Sequence, residues 1–159
     1  MDWGTILSIT LGSILAIITS FITQLYEEWR DKRNKKKQLF SFLKTELPLC
    51  LARIEDFLSY YERTQVPDPS GLVSLEHSAQ IFSPYRSTVY LIDKQAARRI
   101  IDFYDSLERS IDIIQSMVKL LEFQKHREFA LKEINDQIAE ICRIHNIGTA
   151  ILKNFVKLN

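Results

Sequence analysis

The first part of this sequence contains one long stretch without a charged side chain. It runs from Trp3 to Tyr26 and reads WGTILSITLGSILAIITSFITQLY. A helix of this length is about 36 Å long, enough to span a hydrocarbon layer of roughly 30 Å with some tilt. The rest of the chain is too small to surround a fully buried helix of that length. Residues 1–26 are therefore predicted to form a transmembrane helix, with aromatic anchors at Trp3, Tyr26 and Trp29.

A basic juxtamembrane segment, residues 27–37, follows this stretch. Its cations are Arg30, Lys32, Arg33, Lys35, Lys36 and Lys37. The acidic start at Asp2 and the absence of a small-residue cleavage site argue against a cleaved signal peptide. Because basic residues favour the cytoplasmic side, we expect the N-terminus outside and the remaining chain in the cytoplasm. The cluster either sets topology alone or also contacts anionic lipid headgroups.

Small and hydroxyl residues recur every three or four positions along one face of the predicted membrane helix. They are Thr5, Ser8, Gly12, Ala16, Thr19 and Thr23. Small residues at this spacing let two helices approach closely, and hydroxyls can bond across the contact. The pattern predicts self-association or a membrane partner. Two alternatives stay open: the hydroxyls bond their own backbone, or several copies turn this face inward and line a pore.

Residues 38–159 have the pattern of an all-α bundle. Apolar residues recur at helical spacing over about 38–63, 94–123 and 126–144, which predicts three long helices joined by short helical connections. The chain has only four Gly and four Pro, as expected for long helices. In the third helix, Phe129, Ile134, Ile138, Ile141 and Cys142 are predicted to face inward.

Several residues predict where these helices begin and end. Pro48 should kink or break the first one, and residues 65–71, QVPDPSG, read as a linker, with 72–81 as an ambiguous short helix. Ser83 with Pro84 should open another short helix, through Leu91. Asp93 should cap the second long helix. Asn146 and Gly148 should end the third, with 149–158 as a last piece or its continuation.

A search for catalytic chemistry finds no nucleotide-binding, metalloprotease or hydrolase motif. Helical ribonucleases of the HEPN superfamily carry an Arg followed by a His after four to six residues, but Arg143 precedes His145 by only two positions. His77 and His126 have no Arg at that distance upstream. We therefore predict a protein that is not an enzyme, with no metal or cofactor. Cys50 and Cys142 are predicted to be core thiols in a reducing compartment.

One basic and aromatic patch is a candidate contact for a ligand or RNA. It comprises Arg86, Lys94, Arg98 and Arg99, with Tyr85 and Tyr90 nearby. Such a mixture can hold phosphates and stack a base. The alternative is a solvated helix face beside two core tyrosines. Because the 21 basic and 20 acidic residues nearly balance, we expect no dedicated nucleic-acid partner.

Four segments carry a resemblance to small bacterial single-pass membrane proteins with a helical cytoplasmic domain. They are RDKRNKKK, LFSFLKTEL, YRSTVYLID and RRIIDFYDSLERSI. The order of parts is similar to the accessory membrane protein of type VI CRISPR systems, a membrane helix plus a HEPN-like domain assembled as a pore. The chain lacks the Arg-to-His spacing of that domain. The resemblance thus implies a role at the bacterial inner membrane rather than a ribonuclease.

Together, these patterns predict a self-associating inner-membrane protein that perturbs or permeabilises the bilayer in antiviral defence. Its expected partners are the lipid bilayer, further copies of itself and a cytoplasmic defence protein. One alternative is an anchor or scaffold for a cytoplasmic partner. Another is a membrane-tethered nuclease or nucleotide-binding sensor.

Overall fold

The computed structural model describes the backbone of residues 3–121, 123 and 126–156, and the side chains of 11–121, 123 and 126–154. Four α-helices account for most of it: α1 (Trp3–Thr64), α2 (Pro69–Ile81), α3 (Lys94–Leu120) and α4 (Arg127–Val156). Two 3-10 turns, Ser83–Tyr85 and Val89–Leu91, connect α2 to α3. The predicted all-α class is confirmed, since no strand occurs in these ranges.

The chain divides into two compact units, Met1–Lys37 and Gln38–Asn159. In the first unit, every described side chain, from Leu11 to Lys37, is exposed. Over the part of the chain described here, no helical stretch combines the length and the apolar character that a membrane crossing requires.

The second unit is built around one hydrophobic core. Helix α1 contributes a stripe at spacings of three and four that includes Leu43, Leu47 and Ile54, because this spacing keeps side chains on one helix face. Helix α3 supplies a matching stripe and packs against both α2 and α4. Each large side chain buried in this way contributes roughly 1.5–3 kcal/mol. The core members from α3 and α4 are Ala97, Ile100, Phe103, Tyr104, Leu107, Ile111, Ile114, Ile141, Ile144 and Ile151.

Helix α1 continues through Pro48, so the predicted break is wrong. A proline inside a helix removes one backbone hydrogen bond and costs about 3 kcal/mol. The neighbouring Leu47 and Cys50 are each 1% exposed. Burial of these flanking side chains against the core offsets the cost and keeps the segment helical.

The connections are shorter and tighter than predicted. Helix α1 ends where Gln65 adopts a left-handed φ of 56°, and α2 begins at Pro69, inside the predicted 65–71 linker. The Asp68 carboxylate caps α2 by accepting hydrogen bonds from the backbone N–H groups of Ser70 and Gly71, at 3.1 and 3.0 Å. Pro69 follows at the first helical position, where its missing N–H costs nothing.

The two predicted caps before α3 have opposite outcomes. Ser83 forms no cap: the N-cap position is Phe82, without a side-chain hydrogen bond, and the predicted helix is two separate 3-10 turns. Asp93 caps α3 as predicted, accepting from the N–H groups of Gln95 and Ala96, each at 3.0 Å.

Helix α4 does not end at Asn146 or Gly148 but continues to Val156, so of the two predicted alternatives for 149–158 the continuation holds. Gly148 lies where α4 packs closely on its neighbours. A Cβ atom at this position would lie 2.5 Å from Phe103 Cε2 and 2.7 Å from Leu51 Cδ2. The glycine therefore permits a close helix approach and does not terminate the helix.

The predicted inward face of α4 is also partly wrong. Ile134 and Ile141 are buried as predicted, whereas Phe129 is 59% exposed and Cys142 is exposed. Since each residue advances about 100° around a helix, Cys142 follows Ile141 out of the buried face.

Candidate functional site

An exposed apolar surface lies along residues 11–29 of the first unit. Its ten large apolar side chains are each 48–69% exposed: Leu11, Ile14, Leu15, Ile17, Ile18, Phe21, Ile22, Leu25, Tyr26 and Trp29. At about 100° per residue they occupy one half of the helix, and the other half carries small or uncharged polar residues such as Gly12, Ala16 and Thr19. A contiguous apolar surface of this kind marks contact with a protein or a membrane.

The small and hydroxyl face lies beside this surface, on the other half of the helix. Apart from its own helix backbone and chain neighbours, no atom of the described residues lies within 4 Å of the point where a Cβ of Gly12 would be, and Ala16 is exposed. The Thr19 hydroxyl donates to the carbonyl of Leu15 at 2.8 Å, and the Thr23 hydroxyl donates to that of Thr19 at 2.9 Å. These two threonines therefore bond their own helix backbone, which is one of the alternatives that the sequence left open. The side chains of Thr5 and Ser8 lie outside the described residues.

The basic segment after this surface is exposed and partly paired. Lys32 Nζ lies 4.0 Å from a Glu28 oxygen, and Lys35 Nζ lies 3.9 Å from an Asp31 oxygen, both one helical turn earlier. Exposed pairs of this type contribute little stability. All six predicted cations, Arg30, Lys32, Arg33, Lys35, Lys36 and Lys37, are exposed.

Aromatic rings lie where the apolar surface meets the basic segment. The Arg33 guanidinium lies 5.3 Å from the centre of the Trp29 ring, within cation–π range. The Tyr26 and Trp29 rings lie 6.2 Å apart. Aromatic and basic side chains side by side are typical of a membrane interface.

In the second unit, the four basic residues proposed as a ligand contact have different environments. Arg86 forms ion pairs with Asp105 at 2.6 Å and Glu108 at 2.9 Å. Lys94 is exposed at the start of α3, and Arg98 lies 3.9 Å from Asp102. Of the four, Arg99 lines a groove.

The two neighbouring tyrosines also lie in different environments. Tyr85 stacks on Phe42 with ring centres 4.2 Å apart and is half-buried. Tyr90 is 68% exposed. One tyrosine thus supports the core, and the other remains available to solvent.

The groove that Arg99 lines runs between α3 and α4 and has a volume of about 610 Å³. Residues Arg99, Asp102, Ser106 and Arg109 follow one face of α3, at spacings of three, four and three. Arg143 enters from α4. Sequence reasoning missed Arg109 and Arg143 as groove residues. The regular spacing on α3 was a usable signal, but nothing local indicated which helix would lie opposite.

The nucleophilic and metal-binding residue types are dispersed. Cys50 is buried, and that burial raises the pKa of its thiol to about 12. Cys142 is exposed, so the prediction of two core thiols holds only for Cys50. His77 and His126 are exposed, and His145 is half-buried. Among the residues that the structure describes, no three His, Cys, Asp or Glu side chains are placed to hold a metal ion.

Comparison of this chain with protein-family models, with curated proteins and with solved structures gave no match.

Proposed function

We propose that this chain is a membrane-anchored protein that self-associates through its first helical segment and holds the helical unit Gln38–Asn159 at the membrane surface. The observation that carries the proposal is the apolar surface from Leu11 to Trp29, whose ten large side chains are 48–69% exposed. In water, an exposed side chain of this kind lacks the stabilisation of roughly 1.5–3 kcal/mol that full burial would give. Hydrocarbon would supply that burial, and the other half of the helix carries no charged side chain from Leu11 to Tyr26.

The sequence supports the anchor independently. The uncharged run begins at Trp3, and its 24 residues up to Tyr26 match the hydrocarbon thickness of a bilayer. Arg33 and Trp29 at its end have the residue types that settle among lipid headgroups. The same charge asymmetry supports an orientation with the N-terminus outside and Gln38–Asn159 in the cytoplasm.

Self-association is supported by the open space beside Gly12 and by the exposed Ala16 one turn later. In hydrocarbon there is no hydrophobic force between helices, so association depends on close packing of small residues. The hydroxyls of Thr19 and Thr23 are satisfied by their own helix. They need neither water nor a second helix as a partner.

This bonding favours a packed helix contact over a water-filled channel. A pore and a role in antiviral defence remain predictions from the sequence and its resemblance. An ion-flux assay tests the pore: proteoliposomes that hold the oligomer should dissipate a potassium gradient, read by a potential-sensitive dye, if a pore forms. A gradient that persists would contradict the pore and leave the anchor standing.

The membrane anchor is tested by flotation of the full chain with neutral vesicles. We expect the protein to float with the lipid and to resist carbonate extraction. Replacing Ile17 and Ile18 by Lys should abolish flotation, because charged side chains are costly in hydrocarbon. Val73→Lys is the matched control, since Val73 is 63% exposed on α2. Wild-type protein that stays in the aqueous phase would rule out the anchor.

Topology is tested in cells with a membrane-impermeant maleimide. Cys142 is exposed and Cys50 is buried, so Cys142 is the reporter of the second unit. We expect it to be labelled only after permeabilisation, whereas a cysteine introduced by Asp2→Cys should be labelled in intact cells. The opposite labelling pattern would reverse the proposed orientation.

Self-association is tested by mass measurement in a neutral detergent. Gly12→Leu should lower the oligomer fraction at least tenfold, because a large side chain keeps the backbones apart. Ile14→Leu adds no volume and lies on another face of the helix, so it should leave the mass unchanged. A wild-type chain that remains monomeric when concentrated would favour the scaffold alternative.

A further inference from the structure

The arginines that line the groove between α3 and α4 differ in whether they have a carboxylate partner. In the described part of the chain, Arg99 and Arg109 form no ion pair, although both line the groove. Arg143 is held by Glu140, whose Oε2 accepts from Arg143 Nε at 2.8 Å. This hydrogen bond lowers the pKa of Glu140, which therefore stays ionised. The groove thus has two uncommitted guanidinium groups and one that is fixed in place.

Two carboxylates also line the groove, and each has a cation beside it. Asp105 Oδ1 lies 2.6 Å from Arg86 Nη2, and Asp102 lies 3.9 Å from Arg98. Neither of those two arginines lines the groove. Repulsion of an incoming anion is therefore reduced by partners outside the cavity, while the carboxylate oxygens can still accept hydrogen bonds.

One wall of the groove is apolar. Ile147, Ala150 and Ile151 come from α4, next to Arg143 one turn earlier. An apolar wall beside a few charged groups is the usual composition of a small-molecule site, and about 610 Å³ lies within the usual size range. A planar ring would cover this wall, and inorganic phosphate alone would not.

We propose that this groove binds a phosphate-bearing ligand of nucleotide size. One guanidinium of Arg99 or Arg109 binds the phosphate, and the other lies against the planar part. Arginine suits both tasks, because its planar fork pairs with phosphate oxygens and stacks on aromatic rings. Ser106 lies between the two arginines on the same face of α3, where its hydroxyl can donate to the ligand.

The same phosphate chemistry has two sources, a soluble nucleotide and the headgroup of an anionic phospholipid. Because a planar ring would cover the apolar wall of the groove, the nucleotide is the expected source. This inference concerns only the second unit and does not depend on membrane anchoring. It remains testable if the proposed anchor fails.

The experiment titrates ATP into the full-length protein in a neutral detergent and follows heat and melting temperature. We expect saturable binding with a Kd below about 1 mM. Arg99→Gln and Arg109→Gln should each weaken it at least tenfold, as expected for loss of a charge-assisted hydrogen bond to phosphate. Arg127→Gln is the matched control, because Arg127 is exposed on α4 outside the groove.

A second variant, Ala150→Leu, fills the groove without removing a charge. Ala150 is exposed, so the substitution should leave the fold and helix content intact and still prevent binding. Equal loss of affinity in Arg127→Gln would show nonspecific charge attraction and overturn the proposal. Binding that persists in Ala150→Leu would also overturn it.

A parallel arm adds phosphatidylglycerol to the micelles in place of ATP. Stabilisation by this lipid that requires Arg99 and Arg109, with no response to ATP, would identify a lipid headgroup as the source of the phosphate. Absence of a saturable response to ATP and to phosphatidylglycerol would overturn the proposal.

Discussion

Arg86 Nη2 lies 2.6 Å from Asp105 Oδ1, joining the 3-10 connection to the middle of α3. The same nitrogen donates to Glu108 at 2.9 Å. One arginine therefore neutralises two carboxylates on adjacent turns of α3 and holds the connection against that helix.

Arg86→Gln should destabilise the second unit by about 1–2 kcal/mol, between the values for exposed and buried pairs. The intermediate value follows because the two side chains of the Arg86–Asp105 pair are 42% and 38% exposed. Urea unfolding followed by circular dichroism measures the change. Arg98→Gln is the control, since Arg98 is 85% exposed and its pair is 3.9 Å long. Equal effects of the two substitutions would contradict the assigned role.

Gly148→Ala should destabilise the protein, although alanine is ordinarily the better helix former by about 1 kcal/mol. The added methyl group would meet Phe103 at 2.5 Å and Leu51 at 2.7 Å, and overpacking of this kind costs about 1–3 kcal/mol. Thermal unfolding measures the change. Leu51→Ala in the Gly148→Ala background should recover part of the loss.

Asn146→Ala is the contrasting substitution on the same helix. Asn146 is exposed in the interior of α4, so alanine should leave stability unchanged or raise it slightly. A marked loss would indicate that α4 ends there after all.

The Asp93 cap should be worth about 1 kcal/mol, the typical cost of replacing an N-cap aspartate by alanine. Its carboxylate accepts two backbone N–H groups at 3.0 Å. Ser83→Ala is the matched control, because Ser83 does not occupy the N-cap position of its turn. Denaturant unfolding should separate the two variants, and identical midpoints would exclude the cap.

Cys50 should resist alkylation in the folded protein. Burial raises the pKa of its thiol from 9.0 to about 12, so at pH 8 it holds far less thiolate than an unperturbed thiol. Mass spectrometry after iodoacetamide treatment should find label on Cys142 alone, and on both thiols after unfolding. Rapid native labelling of Cys50 would show that the core opens readily.

The same pKa shift sets a direction for alkaline stability. The folded state binds the Cys50 proton more tightly than the unfolded state does. The stabilisation of the folded state that depends on this proton is therefore complete below pH 9. Stability is lost as the pH rises from 9 towards 12. Cys50→Ala should flatten this part of the pH profile, although it lowers stability at neutral pH by leaving a small cavity.

Local signals in the sequence determined the helical content, the core stripes of α1 and α3, the Asp93 cap and the uncharged run from Trp3 to Tyr26. These depend on periodicity, caps and charge, which act over one or two turns of helix. Of the two alternatives for α4, an end near Gly148 was wrong and a continuation was right, because glycine has two uses. It can terminate a helix or permit close packing, and the choice at Gly148 depends on Phe103 and Leu51, which are distant in sequence.

Only the tertiary structure decided which helix faces meet. It gave Arg86 its carboxylate partners, turned Cys142 outward and brought Arg99, Arg109 and Arg143 to one groove. Periodicity indicates which residues share a face, but not which face of another helix lies opposite. That choice is made by the packing of side chains from separate parts of the chain, and the candidate ligand groove depends on it.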